Sequence, residues 1–110
     1  MKKIIDNSVY DTSTARELGC VEYSHPGDFY WTCETLYVTR ANKYFLHGEG
    51  GAMTQYAKSL GGGSFQGSEK IIPLTLEEAK KWAEENLTGD EYESAFGKVT
   101  EDEKVLLSFS

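Results

Sequence analysis

Alternating apolar and polar positions mark strands through the first two thirds of the chain. The longest such run is Phe29 to Arg40, Phe-Tyr-Trp-Thr-Cys-Glu-Thr-Leu-Tyr-Val-Thr-Arg, rich in the β-branched and aromatic residues that suit a pleated surface. One parity holds Tyr30, Thr32, Glu34, Leu36 and Val38; the other holds Phe29, Trp31, Cys33, Thr35, Tyr37 and Thr39. The second is more aromatic and is expected to face the core, at least in its first half. Arg40-Ala41-Asn42-Lys43 reads as a hairpin turn, with Lys43 to His47 returning as the antiparallel partner. Shorter strands are predicted at Lys3–Ile5 and Ser8–Tyr10, around the turn pair Asp6-Asn7, and at Cys20–Tyr23, before the turn Ser24–Asp28. Lys70–Leu74 reads as an edge strand because Pro73 has no N–H to donate to a ladder, and Lys104–Phe109 as a closing strand.

The period changes at Thr75. Thr75 and Glu78 have the spacing of a capping box, and Leu76 to Leu87 follows as an amphipathic helix with Leu76, Ala79, Trp82, Ala83 and Leu87 along its apolar stripe. Its outer face carries Glu77–Lys81, Lys80–Glu84 and Lys81–Glu85 at i,i+4 spacing. Thr88-Gly89-Asp90 interrupts it, and Glu91–Phe96 reads as a short second helix. Two further helical stretches are predicted. Ala15–Leu18 follows the potential caps Asp11, Thr12, Ser13 and Thr14 and stops at Gly19; Ala52–Leu60 places Met53, Tyr56, Ala57 and Leu60 on one side and stops at Gly61-Gly62-Gly63. The expected architecture is a single α+β domain over residues 1–110, an antiparallel sheet with helices packed on one face.

Charge divides the chain unevenly. Residues 1–75 carry eight acids and seven bases, a balance of −1, whereas residues 76–110 carry ten acids and four lysines, a balance of −6. Direct nucleic-acid binding depends on a basic surface that displaces phosphate counterions, so this distribution argues against it. It permits binding to a protein that itself holds nucleic acid. No apolar stretch approaches the roughly 20 residues of a membrane span. The start, Met1 to Asn7, lacks the apolar core of a signal peptide, and a cytoplasmic location is expected. Cys20 and Cys33 are then expected to be reduced thiols.

Candidate chemistry concentrates around His47-Gly48-Glu49-Gly50-Gly51 and the glycines that follow. A phosphate-binding loop is argued against by Glu49, whose carboxylate occupies the anion's place, and by the absence of a following Gly-Lys-Ser/Thr. The glycines are expected to act as bends, some at positive φ. Cys20, His25, Cys33 and His47 compose a Cys2His2 set, but they lie 5, 8 and 14 residues apart, without the close pairs of zinc sites. No metal, cofactor or catalytic residue is therefore assigned, and the chain is not expected to be an enzyme. The alternative is a small accessory enzyme or a ligand- or metal-binding domain that uses the His47–Gly51 turn. The acids Glu77, Glu84, Glu85, Asp90, Glu91, Glu93, Glu101 and Asp102 are expected to form the partner-binding face. A dense acidic face imitates part of the field of duplex DNA, with its charge per roughly 1.7 Å of axis.

From Glu34 to Leu87 the chain resembles a family of short proteins of phages, plasmids and other mobile elements. The resemblance rests on Glu34-Thr35-Leu36-Tyr37, on Tyr44 to Gly51, on Met53 and Tyr56-Ala57, on Ile72-Pro73-Leu74-Thr75, and on Glu77-Glu78-Ala79 with Trp82-Ala83-Glu84-Glu85. It covers about half the chain. Small acidic proteins of this origin include anti-CRISPR proteins, inhibitors of RNA-guided nucleases. The resemblance therefore implies an inhibitor whose partner is a host protein or ribonucleoprotein complex such as a Cas effector; it carries over no site residues.

Overall fold

Turn chemistry sets the first element. Asp6 and Asn7, at φ of 49° and 63°, make a two-residue turn between β1 (Lys2–Ile5) and β2 (Ser8–Asp11), since a hairpin of this length needs positive φ at both central positions. A computed structural model of the chain describes residues 1–99; the predicted strand Lys104–Phe109 and the acids Glu101 and Asp102 lie outside the described residues. Next come β3 (Arg16–Tyr23), β4 (Thr32–Val38) and β5 (Tyr44–Gly50), then the hairpin of β6 (Lys58–Gly61) and β7 (Ser64–Gln66), and β8 (Ser68–Leu74). The main sheet runs β3-β4-β5-β8 with every neighbour antiparallel, and Pro73 lies on its edge strand β8. Two helices close the described chain, α1 (Leu76–Asn86) and α2 (Gly89–Phe96). Strands and helices together make an α+β domain.

The sheet has two unequal cores. Leu36 on β4 and Leu46 on β5, directly opposite each other, pack against Ala79 and Ala83 of α1, with Leu18, Tyr44, Leu74, Trp82, Leu87, Tyr92 and Phe96 around them. On the reverse face the β1–β2 hairpin lays Tyr10 edge-on against Phe45, with Ile71 and Tyr37 completing the cluster. The helices thus cover one face, as the sequence implies, but the parity of β4 that meets them is Glu34, Leu36 and Val38. The more aromatic parity faces away, and its first members fall outside the strand: Phe29 sits in a turn and is 68% exposed.

Neither of the two further predicted helical stretches forms a helix. Asp11 does organise one turn, accepting from Ser13 N and Oγ through its side chain and from Ala15 N through its carbonyl, but the chain then extends and pairs with β4. Gly19 is not a helix stop. It leaves room for Leu87, whose Cδ2 would lie 2.6 Å from any Cβ there. Ala52–Leu60 forms tight turns and then β6, with Thr54 Oγ1 donating to Gly51 O and Met53 and Leu60 left 59% and 58% exposed. Gly61, Gly62 and Gly63, at φ of 86°, 58° and 81°, turn the β6–β7 hairpin.

His47–Gly51 is likewise not a turn: His47 to Gly50 continue β5 in full register with β4 and β8. The glycines Gly48, Gly50 and Gly51 serve close approach rather than positive φ. The capping box of α1 is complete, with Thr75 Oγ1 accepting from Glu78 N and Glu78 Oε1 accepting from Thr75 N. Thr88 and Glu91 build a second box that starts α2. Leu76 departs from the expected stripe and is 46% exposed, and none of the three i,i+4 pairs closes within 4 Å among the described residues.

Candidate functional site

The helix-facing side of the sheet holds a carboxylate where an apolar residue is expected. Glu34 interrupts the parity that continues into Leu36, and its side chain is only partly exposed. Trp82 Nε1 donates to Glu34 Oε1 at 3.0 Å, Gln55 Nε2 donates to Oε2 at 3.1 Å, and the hydroxyl of Tyr56 also donates to Oε2. Tyr56 is 1% exposed and its ring lies over Gly48, directly opposite Glu34 on β5. Burial first, then the bond and negative charge of Glu34, push the Tyr56 hydroxyl far above its usual range. The junction ties β4, the loop before β6 and α1 together. Its members come from segments 21 to 48 residues from Glu34, and residue spacing gives no hint that they meet.

The acids chosen from sequence divide by environment. Glu77, Glu84, Glu85, Asp90 and Glu91 are exposed on α1 and α2. Glu91 also serves the cap, where the N–H and hydroxyl of Thr88 hold its carboxyl below the usual range. Glu93 is half-buried, and one of its carboxylate oxygens accepts from Val99 N at 2.9 Å. Lys80 and Lys81 lie between the two glutamate pairs of α1, which makes its outer side a mixed surface with an acidic excess.

The sheet face turned away from the helices carries the remaining reactive side chains. Cys20 lies opposite Thr35, Thr35 opposite His47, and the adjoining row on the same face is Glu22, Cys33, Glu49 and Glu69. Both thiols are free. Burial, then the negative charges of Glu49 and Glu22, raise the Cys33 thiol, the opposite of what activates a nucleophile. His47 Nε2 approaches Glu69 Oε2 at 3.4 Å but is not aligned for a hydrogen bond. His25 stands apart, exposed in the turn after β3. Among the described residues no three His, Cys, Asp or Glu side chains gather as a metal-binding group.

An open cleft of about 530 Å³ lies where this face meets the loops at the β6–β7 end, bordered by Phe29, Trp31, Glu49, Gly51, Phe65 and Glu69. Trp31 is held at its wall by donating Nε1–H to Glu22 Oε2 at 2.7 Å. Asp28 organises the adjoining loop, and the Tyr30 N–H and Ser24 hydroxyl that it accepts hold its carboxyl below the usual range. The sequence reached one wall of this cleft, through the alternative ligand-binding reading of His47–Gly51, but not its aromatic side, for which the aromatics flanking the glycines were the signal.

Fold and surfaces define a small α+β domain with a polar junction inside and charged and aromatic surfaces outside. Comparison with protein-family models, with curated proteins and with solved structures gave no match. Among the described residues no helix is long and apolar enough to cross a membrane.

Proposed function

We propose that the chain is a binding protein: a mobile-element inhibitor that docks through the acidic outer side of its helical layer on a host complex that handles nucleic acid. A Cas effector is the concrete candidate, because such complexes hold guide and target in basic channels that an acidic face would contest. The observation that supports this reading is the division of labour in α1. Ala79 and Ala83 anchor the helix in the core, while Glu77, Glu84 and Glu85, with Asp90 beyond them, are exposed and form no ion pair among the described residues. Charged side chains with no partner inside the fold remain available to an external one. The motif resemblance to mobile-element proteins points the same way. Binding would interfere with the effector's nucleic-acid binding or cleavage, and the inhibitor would itself need no direct contact with nucleic acid.

The test uses a purified Cas effector and a variant with Glu77, Glu84, Glu85 and Asp90 each replaced by Lys. The unaltered protein should be retained by the effector, should lose retention as salt rises and Debye screening shortens from about 10 Å at 0.1 M to about 3 Å at 1 M, and should be displaced by guide RNA or duplex DNA. Complementary charge acts mainly through steering, so the variant should show its largest loss in association rate. Undiminished binding by the four-site variant refutes the assignment of this face.

A further inference from the structure

Glu49 and Glu69 stand directly opposite each other on β5 and β8, and Glu22 continues their row across Cys33. Like charges placed directly opposite on neighbouring strands destabilise a sheet. Among the described residues no lysine or arginine comes within 4 Å of either Glu49 or Glu69, and the imidazole of His47 is the one basic group near Glu69. The fold therefore bears a local electrostatic cost with little compensation of its own. Departures of this kind from sheet rules concentrate at functional positions.

The cleft beside these carboxylates has the complementary features of a cation site. Phe29 and Phe65 are 68% and 55% exposed, although aromatics of this size normally find cover. The indole of Trp31 is fixed by its bond to Glu22. Glycines form the floor by necessity. A Cβ on Gly51 would lie 2.7 Å from the carbonyl oxygens of Asp28 and Phe29, and one on Gly67 would lie 2.7 Å from that of Gly50. Tyr30, also exposed, follows Phe29 in the bordering loop, and the exposed Met53 is tied to that loop by its N–H, which Phe29 O accepts at 2.9 Å.

We propose that this cleft receives an arginine side chain presented by a partner protein. A guanidinium is planar, stacks on aromatic faces, and forks its N–H donors onto carboxylates, so one group satisfies both the aromatic walls and the Glu49–Glu69 pair. The compact, strongly hydrated ammonium of lysine exploits only the charge. Exposed apolar residues around the cleft fit the apolar neighbours of such an anchor, and arginine and aromatic residues are the usual energetic centres of interfaces. The surface is distinct from the acidic helices: it lies on the opposite face of the sheet, and its recognition rests on stacking as well as charge.

The probe is N-acetyl-argininamide, titrated into the isotope-labelled full chain while amide and indole resonances are followed, with the neutral citrulline analogue in parallel. Arginine should cause saturable shifts at Gly50, Gly51, Gly67 and the Trp31 indole, and citrulline should not. Glu49→Gln with Glu69→Gln should weaken arginine binding by about ten-fold or more, with the dispersion of the remaining amides unchanged. The four-site helix variant should bind the probe normally, which separates this inference from the proposed inhibitor face. Absence of saturable shifts, equal response to citrulline, or shifts confined to α1 and α2 overturns it.

Discussion

Gly48→Ala is the smallest change that should damage this fold most. Gly48 pairs with Glu34 in the middle of the sheet, and an added Cβ would overlap Cζ, Cε1 and the hydroxyl of Tyr56. In an ordinary strand interior this substitution is favourable by roughly 0.5–1 kcal/mol, because glycine loses more backbone freedom on folding. Here the methyl must evict a ring that is 1% exposed and hydrogen-bonded to Glu34. Deleting a buried aromatic costs about 3–5 kcal/mol. The displaced ring recovers part of its contacts elsewhere, so the expected net loss is about 2–4 kcal/mol, a large share of a stability of about 5–15 kcal/mol. Urea unfolding followed by tryptophan fluorescence measures it, with an unchanged m-value indicating that stability alone has moved. The diagnostic experiment is a double-mutant cycle with Tyr56→Ala. Without the ring above it, Gly48→Ala should become neutral or slightly stabilising. An equal cost in both backgrounds, or no cost in the parent, refutes the steric account.

Trp82→Phe should keep most of the ring's packing but remove the Nε1–H that Glu34 accepts at 3.0 Å, costing about 1–3 kcal/mol in urea unfolding, as loss of a bond to a partly buried charged group does. Alkali should destabilise the protein through Tyr56: its folded pKa is raised, so the contribution is complete below the ordinary tyrosine value of about 10 and is lost as pH climbs through that value towards the folded one. Tyr56→Phe should flatten that alkaline slope, and an unchanged slope would place its origin elsewhere. Gly51→Val should lower the urea midpoint because a Cβ there lies 2.7 Å from two backbone oxygens, whereas Glu49→Gln should leave it unchanged or raise it by relieving repulsion with Glu69.

What the sequence determined by itself was whatever short-range physics decides. Asp6-Asn7 specifies a hairpin, Thr75 with Glu78 specifies a helix start, Pro73 specifies an edge, and the alternation after Phe29 specifies a strand that returns through Asn42. The outward placement of Glu77, Glu84 and Glu85 follows from helical period alone. The setting of Glu93 does not: it accepts from Val99 N, and that bond depends on how the chain leaves α2. Ala15–Leu18 and Ala52–Leu60 have adequate helix propensity, but pairing with β4 decides the first, and the second yields to the β6–β7 hairpin and the burial of Tyr56. Glu34 looks like a solvated strand residue until Tyr56, 22 positions away, and Trp82, 48 positions away, donate to it. The glycine-rich stretch reads as a flexible reversal, yet Gly48 and Gly51 are small because remote atoms occupy the space of a side chain. Local geometry is encoded within a few residues. Which ring lies over which glycine, and which carboxylates end up side by side, exists only once distant segments have packed.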